Sequence, residues 1–515
     1  MFAHLKDRAN LPPDVESLHS VISLLLIDNE SLADKNELLS AEVKSLTDEV
    51  QLLKEQLLVL KTKQFGKSSE KLEKEIAELE LRIEEKESAK LELAEKDVKH
   101  RPKRLKLPEH LPRDEIVIPA PEVCSGCGGR EFRKISDDTS ETFEYVPSSF
   151  KVIRHIRPRC ACINCEQIVQ GCAPGNTIDK GKAGAGMLAH ILVQKYCNHL
   201  PLYRQSQIYE REGLEIARST MSGWAGQCAR LLEPLIKELR NYVFSGTHIH
   251  GDDTPIKVLA PGSGKTKTGR IWTYVKDGRP YGDNSPVGVC YFYSSDRRGE
   301  RPRAHLQDYK GILHADAYSG YDRIYGNGIT EAGCWAHLRR KFYEVTVASD
   351  NAVIATSAVE EIGKVYGIEE KIRGFKAKER LKYRQEESRE LVEKLFGSFE
   401  KNYNKLPKKS MTAKAIGYGL NNRAALMRFL DDGKIEIDNN AAERSLRSIA
   451  LGRKNWLFAG SDEGGETAAA FYSLIETAKL NNINPWRYLR QVLASIQDHS
   501  STKLAELLPW NIKLD

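Results

Sequence analysis

Three acidic residues stand in contexts that suit the binding of divalent metal ions. Asp252 lies in HIHGDDTPIKVL, Asp316 in GILHADAYSGYDRI and Glu443 in IDNNAAERSLR. The first two follow apolar, strand-like runs, and the third opens a helix-like segment. Carboxylates from two strands and a helix supply the hard oxygen ligands that Mg²⁺ (or Mn²⁺) prefers, and two such ions stabilise the attacking and leaving oxygens of a phosphodiester. The three acids therefore predict metal-dependent nucleic-acid chemistry.

Each acid also has an ordinary structural interpretation. Asp252 and its neighbour Asp253 would serve as a solvated strand end, and Asp316 would be a turn acid. Because successive residues of a strand point to opposite faces, one of the two adjacent aspartates joins the cluster, and the alternation of polar residues favours Asp252. Asn440 and Glu443 have the spacing of a capping box, with Asn440 at the N-cap and Glu443 at N3.

Strand-like runs surround the first two acids. THIHGDDTPIKVLA, RIWTYVKD and VGVCYFYSS predict three antiparallel strands, and a short helix and a fourth strand, GILHADAYSG, follow. This is the opening order of a ribonuclease H-like fold. The catalytic domain is predicted over residues 245–345 and 433–515. A helical insertion over 346–432 explains the large separation of 127 positions from Asp316 to Glu443.

Four cysteines have the spacing of a structural zinc site. Cys124 and Cys127 form one CxxC knuckle and, after 34 residues, Cys162 and Cys165 form a second. Two such knuckles present four thiolates to one tetrahedral Zn²⁺, which stabilises a fold and leaves no open position for a substrate. We predict a zinc ribbon over 121–175. The rival ligands are Cys160, Cys172 and His155, and the ordinary alternative is a set of buried thiols.

Leucines near the N-terminus repeat every seven residues. They are Leu18, Leu25, Leu32, Leu39, Leu46, Leu53 and Leu60, and mostly branched residues or Asn follow four positions later. This pattern predicts a leucine-zipper coiled coil, with a second helix, over 14–98 and a homodimer or higher oligomer. Residues 99–120 are rich in proline and basic side chains and predict a linker that lies along phosphates.

The segment 180–244 has helical periodicity. Gly213 would occupy the turn of a helix-turn-helix, and Ser219 or Thr220 would cap a second helix that faces a DNA groove. Packing of ordinary helix pairs is the alternative.

The composition agrees with several folded domains. The chain has 515 residues, 40% of them apolar, and a net charge of +6. Neither a signal peptide nor an apolar run of about 20 residues is present in the sequence. We therefore expect a cytoplasmic, nucleoid-associated protein with no membrane partner. Most of the ten cysteines cluster between Cys124 and Cys172, which in a reducing compartment indicates metal binding and not disulfides.

Long blocks of sequence resemble the insertion sequence 66 family of transposases. They include FGKSSEK, LPEHLPRDE, LPLYRQSQIYEREG, GDDTPIKVL, HADAYSGYDR, GCWAHLRRKF and DNNAAERSLRSIALGRKNWLFAGSDEGG. The resemblance implies a DDE-type triad of Asp252, Asp316 and Glu443, and helper proteins encoded by the same element. Such transposases often have Asp-Glu-Thr where this chain has Asp252-Asp253-Thr254. The difference falls on Asp253 and leaves the presumed catalytic Asp252 unchanged.

Other polar residues cluster near the triad in sequence. Cys334 and His337 resemble a Cys-x-x-His motif that follows the second aspartate in several DDE transposase groups, and they are predicted as supporting residues. The expected DNA-binding residues are Arg339, Arg340, Arg444, Arg447, Arg453, Lys454 and Trp456. For Trp456, stacking on an unpaired base and packing in a core are equal alternatives.

The resulting hypothesis is a multidomain α+β DNA transposase with Mg²⁺ or Mn²⁺ and Zn²⁺ as cofactors. It would cleave the ends of an insertion sequence and transfer the strand into target DNA. The alternatives are a ribonuclease H-like nuclease without transposition, and a zinc-ribbon DNA-binding regulator with an inactive catalytic domain.

Overall fold

The structure is a computed structural model that describes residues 130, 150–157, 159–161, 163, 168–170, 177–178, 181–260, 265–349 and 352–514. The predicted zipper and linker lie outside these residues, and so do Cys124, Cys127, Cys162 and Cys165. The chain divides into the compact units Met1–Lys151 and Val152–Asp515. All helices and strands below belong to the second unit. Among the described residues, every helix is too short or too polar to span a bilayer.

A mixed sheet carries the first two acids. Its strands are β3 (His248–Ala260), β4 (Lys265–Lys276), β5 (Gly288–Ser294), β6 (Gly311–Ala315) and β7 (Ile329–Gly333), in the order β5-β4-β3-β6-β7. β3 to β5 form an antiparallel meander, and β6 pairs in parallel with both β3 and β7. The predicted three antiparallel strands, helix and fourth strand are confirmed. A separate antiparallel pair joins β1 (Arg159–Ala161) to β2 (Ile168–Gln170).

Helices surround this sheet and fill the interval before Glu443. They are α1 (Ala185–Tyr196), α2 (Leu202–Arg211), α3 (Arg218–Phe244), α4 (Glu300–His305), α5 (Trp335–Ala348), α6 (Val353–Lys371), α7 (Ala377–Tyr383), α8 (Arg389–Tyr403), α9 (Met411–Asn421), α10 (Arg423–Met427), α11 (Asn440–Trp456), α12 (Asp462–Leu480) and α13 (Pro485–Ser495). A π-helical stretch, Arg384–Ser388, joins α7 to α8.

Helix α12 closes the edge of the sheet at β5. Its hydroxyls take the place of a further strand, because Ser473 Oγ accepts from the Tyr291 N–H at 2.9 Å and Thr477 Oγ1 contacts both the N–H and the carbonyl of Val289. A covered edge satisfies backbone groups that would otherwise pair with another chain. The hydroxyl groups of α12 therefore take up hydrogen bonds that the backbone of β5 would otherwise leave open at this edge of the sheet.

Two apolar clusters hold the unit together. The larger one packs β4 and β5 against α3, α12 and α13, and Trp272, Tyr291 and Phe471 are fully buried in it. The second one belongs to the helical interval, where Trp335 and Phe396 are buried. Helix α5 contributes Trp335 to this second cluster, so it packs with the helices that follow it.

Candidate active site

Asp252 lies on β3, and Asp316 directly follows the neighbouring parallel strand β6. The register of β3 and β6 pairs His250 with His314, and each aspartate comes two residues further along the chain. Adjacent strands are about 4.8 Å apart, and side chains two residues apart share a face. Two aspartates that are 64 residues apart in the sequence thus bring their carboxylates to the same end of the sheet.

The chain turns sharply immediately after Asp316. Ala317 has a φ of +60°, in the left-handed region that a residue with a Cβ adopts at an energetic cost. The Tyr318 N–H then donates to Asp316 Oδ1 at 3.1 Å. This turn ends the strand and holds the carboxylate at its end.

Asp253 is directed away from Asp252. Its side chain is only 2% exposed, and it pairs with Arg297 at 2.8 Å and with Arg270 at 3.1 Å. Its negative charge is therefore neutralised on the opposite face of β3. Asp252 instead shares its face with the buried His250.

Glu443 lies in the first turns of α11, and the predicted capping box is wrong. The N-cap is Asn439, and Asn440 is the first helical residue. Asn440 instead bonds Asp438 through its N–H and its side chain, at 3.0 and 2.6 Å. The Glu443 carboxylate makes no capping bond, and its Oε1 is buried without a hydrogen-bond partner.

His337 and Cys334 approach Glu443 from the start of α5. His337 Nδ1 is 3.8 Å from Glu443 Oε1, and one ligand atom from each of the three residues lies within 4.8 Å of the others. The Cys334 Sγ accepts the N–H of Asn439 at 3.3 Å, and burial raises the pKa of the thiol to about 12. Cys334 is thus a protonated, structural neighbour, whereas the imidazole of His337 faces the carboxylate.

Asn439 connects the elements that carry these groups, and the sequence interpretation missed it. It is fully buried, its Nδ2 donates to the carbonyl of Gly251 at 2.9 Å, and its Oδ1 accepts from His250 Nδ1 at 3.2 Å. Together with the bond to Cys334, this side chain and its backbone join β3, α5 and α11. The signal in the sequence was an Asn pair directly before a helix, where one Asn is expected to cap.

Family models match most of the chain. The model described as "Transposase IS66 family" matches residues 180–467, and the triad lies within it. The chain belongs to the IS66 transposase family. Three further models match: "IS66 C-terminal element" at 473–510, "zinc-finger binding domain of transposase IS66" at 121–166, and "Transposase C of IS166 homeodomain" at 52–116. The zinc-finger match contains all four cysteines predicted as zinc ligands, and it ends before Cys172.

Relatives of similar length are found in Sinorhizobium fredii (strain NBRC 101917 / NGR234). The uncharacterized protein y4hP is 39% identical over 477 residues, which cover 87% of this chain and 86% of the relative. The uncharacterized protein y4qI is 40% identical over 429 residues, which cover 81% and 79%. The sequence similarity of this member of the IS66 transposase family to both relatives therefore extends over most of the chain.

The electrostatics of the triad favour a bound cation. Burial raises the pKa of Asp252 to about 7, and the charges of Asp316 and Glu443 add to this shift. Burial lowers the pKa of His337, although the two neighbouring acids oppose the shift. In the part of the chain that the structure describes, no lysine or arginine forms an ion pair with any of the three acids.

A pair of stacked histidines lies beneath the aspartates. The rings of His250 and His314 are 4.2 Å apart, and both are buried. Burial lowers the pKa of each, so both rings are neutral near pH 7. They therefore offer no positive charge to the two aspartates, whose carboxylates repel each other.

The basic residues predicted to bind DNA occupy two helices beside the triad. Exposed side chains are Arg339 and Arg340 on α5, and Arg444, Arg447 and Lys454 on α11. Arg453 is partly buried and donates to the carbonyl of Pro255. Trp456 packs against the larger apolar cluster, which favours the core alternative for its side chain.

Proposed function

We propose that this protein is a DNA transposase that cleaves insertion-sequence ends and transfers the cut strand into target DNA. The observation that carries the proposal is the convergence of three carboxylates, from β3, from the end of β6 and from α11, with no lysine or arginine of the described residues paired to any of them. Asp252, Asp316 and Glu443 are the proposed catalytic residues. The meander, helix and parallel fourth strand support a ribonuclease H-like fold for this domain.

The residues present fit a divalent ion with oxygen ligands. The pKa of Asp252 is raised by burial and by its acidic neighbours, and Glu443 Oε1 is buried without a hydrogen-bond partner. Both features are unfavourable in an isolated protein and are relieved by a cation. Asp252, Asp316 and Glu443 would hold Mg²⁺ or Mn²⁺, and the ion would activate a water and stabilise the leaving 3′ oxygen.

The other side chains of the site have positioning roles in this scheme. Asn439 keeps α11 against β3, so that Glu443 faces the two aspartates. His337 lies beside Glu443 with a neutral ring, and it can accept a hydrogen bond or a proton from the attacking water. After hydrolysis, the freed 3′ hydroxyl occupies the place of that water and attacks a target phosphodiester. One bond forms as another breaks, so no external energy source is required.

Exposed arginines at the site suit a phosphate backbone. Arg339 and Arg340 follow His337 on α5, while Arg444 and Arg447 follow Glu443 on α11. Basic side chains on phosphates position DNA without reading its sequence. A duplex bound between these helices would place a phosphate against the triad.

Helices α1 to α3 offer a second surface for DNA. Ile191, Tyr209 and Met221, one from each helix, form a small shared core. Gly213 has a φ of +82° in the turn, as predicted, but α3 begins at Arg218 with Ala217 as its N-cap, so capping by Ser219 or Thr220 is wrong. We propose that the exposed start of α3 enters a DNA groove.

The remaining parts of the proposal concern assembly. The zinc-finger match supports Zn²⁺ bound by Cys124, Cys127, Cys162 and Cys165. The heptad leucines would pair two copies of the chain and so bring two element ends together. Helper proteins of the same element complete the expected partners.

The test uses the full chain, Mg²⁺ and DNA that carries the inverted repeats flanking its gene. We expect cleavage at the repeat ends and joining to a target plasmid. Asp252→Asn, Asp316→Asn and Glu443→Gln should each lower the cleavage rate by at least about 100-fold, because changing even a hydrogen-bond partner of a metal ligand costs about 10- to 100-fold. Asp322→Asn, at an exposed acid outside the triad, is the matched control.

Each alternative has its own outcome. Cleavage without strand transfer would identify a nuclease, and binding of the ends without cleavage would identify a regulator. Unchanged cleavage in Asp316→Asn would refute the catalytic assignment.

A further inference from the structure

A strained turn follows the helix that carries Glu443. Leu457 has φ +55° and ψ −42°, and the Phe458 N–H donates to the Trp456 carbonyl at 2.6 Å. This is a γ-turn with positive φ at its centre, a rare and strained conformation. Its central residue is a leucine, although glycine adopts positive φ without a steric penalty. Backbone strain of this kind persists only where the surroundings enforce it.

The surroundings hold both sides of the turn. On the helix side, the Leu457 N–H donates to the Arg453 carbonyl at 3.0 Å, and Trp456 packs on the larger apolar cluster. On the other side, Ala459 exchanges backbone bonds with β3, donating to Lys257 at 2.8 Å and accepting from Leu259 at 2.9 Å. The turn is therefore fixed between a helix and a strand.

This fixed turn presents two apolar side chains to solvent. Leu457 is 65% exposed and Phe458 is 42% exposed. Neither strain nor exposure of large apolar groups stabilises the isolated unit. Where a protein enforces both at one place, the conformation is expected to serve a binding partner.

The charge around the turn indicates the kind of partner. On the outer face of α11, exposed residues recur at helical spacing from Glu443 to the turn, and they are Arg444, Arg447, Leu451 and Lys454. Three of these four are basic, so the track attracts a polyanion more than an apolar protein surface. Leu457 lies fourteen positions after Glu443 in the sequence, which corresponds to about 20 Å along the helix at 1.5 Å per residue.

We propose that Leu457 and Phe458 form an apolar wedge that enters a base step of the element-end duplex. The proposal rests on the proposed function, because the duplex must lie along α11 with its scissile phosphate at the triad. At 3.4 Å per base pair, the wedge would act about six base pairs from the cut. Leucine and phenylalanine are side chains that partially unstack base steps and kink DNA. The fixed γ-turn lets the wedge enter without losing conformational freedom on binding.

The test places the fluorescent base 2-aminopurine, in turn, at positions three to nine base pairs from the cut. With the full-length wild-type chain bound, we expect fluorescence to rise at one or two adjacent positions, because unstacking relieves quenching. The double variant Leu457→Ala/Phe458→Ala should lose this rise and bind the duplex about tenfold more weakly, the loss expected for one stacking contact. Val353→Ala removes a side chain that is 77% exposed, on α6, and is the matched control.

A second variant separates the wedge from the stability of the fold. Leu457→Gly removes the side chain but relieves the positive φ, so it should melt at a higher temperature than the wild type while still losing the fluorescence rise. A side chain with a merely structural role would not produce these opposite changes.

The outcomes separate a failure of the wedge proposal from a failure of the proposed function on which it rests. If the wild type cleaves the ends but no position gains fluorescence, the wedge is refuted and the transposase proposal stands. If the wild type neither binds nor cleaves the ends, the proposed function itself fails. If the double variant keeps the fluorescence rise but sediments as a smaller assembly, the two side chains contact a second copy of the chain and the wedge is refuted.

Discussion

Asp252 titrates where a metal ion would bind, so proton and metal compete for it. Burial and the charges of Asp316 and Glu443 raise its pKa to about 7. In the metal-free protein the folded state therefore holds a proton that the unfolded chain releases near pH 4, and stability from this group is lost as pH rises from about 4 to 7. The affinity for a metal ion instead rises with pH over this range, because the carboxylate must lose its proton before it can bind the ion.

We expect the affinity for Mg²⁺ to rise about tenfold per pH unit below pH 7 and to level off above it, as competition with one proton requires. Calorimetric titration of the metal-free chain at pH 5.5, 6.5 and 8 measures this directly. In Asp316→Asn the plateau should begin at lower pH, since one neighbouring charge is gone. An affinity independent of pH over this range would contradict the assignment.

The neighbouring Asp253 provides a contrast at the same scale. Its carboxylate pairs with Arg270 and Arg297 on the opposite face, so Asp253→Asn should reduce the free energy of unfolding while leaving Mg²⁺ affinity unchanged. We expect a loss of about 3 kcal/mol, the lower end for removing one partner of a buried ion pair, because both arginines keep contact with water. Urea denaturation and metal titration of the variant measure the two quantities. Weaker Mg²⁺ binding would place Asp253 in the metal site.

At the scale of elements, Asn439 determines how α11 meets the sheet. Asn439→Ala leaves the carbonyl of Gly251 and Nδ1 of His250 buried without a partner. Each orphaned group costs about 1–3 kcal/mol, and Glu443 loses its fixed position relative to the aspartates. We therefore expect lower stability and a fall in the cleavage rate even at temperatures where the variant is fully folded.

The control for this prediction is Asn402→Ala, which removes a partly exposed asparagine that bonds within its own helix. Circular dichroism at the assay temperature establishes the folded fraction, and the cleavage rate per folded molecule is the deciding quantity. An unchanged rate would make Asn439 a purely structural residue.

Strand pattern and helix periodicity predicted the elements better than the connections between them. The polar ends of two apolar runs located Asp252 and Asp316, since alternation and strand length are local properties. The N-cap at Asn439 was missed because its side chain bonds β3, which is distant in sequence. The turn at Leu457 carries no sequence signal, because positive φ is normally marked by glycine or asparagine.

At the scale of the whole unit, a buried charge network ties the helical interval to the segment before α11. Arg384 and Arg380 share Glu369, at 2.6 and 3.1 Å, and Arg380 also bonds Glu436 at 2.6 Å. Arg384 lies in the π-helical stretch and donates to the carbonyl of Asp432 at 2.9 Å. The helical interval therefore supports the segment that leads into the third acid.

Glu369→Gln should reduce the free energy of unfolding by about 3–5 kcal/mol, because the buried Arg384 loses its counter-charge and the buried Arg380 keeps only Glu436. Hydrogen exchange should become faster in the first turns of α11, which depend on this support. Glu361→Gln is the matched control, since it breaks an exposed pair with Lys364 that contributes at most about 1 kcal/mol. Unchanged exchange in α11 after Glu369→Gln would show that the interval does not support the triad.

The separate apolar cluster of the helical interval has a consequence for protein synthesis. The ribosome translates Asp252 and Asp316 well before it reaches Glu443. The residues between Asp316 and Glu443 fold around Trp335 and Phe396. Domains fold in order from the N-terminus as the chain is made. A chain terminated between Asp316 and Glu443 thus holds two of the three acids, and on this scheme it cannot cut DNA.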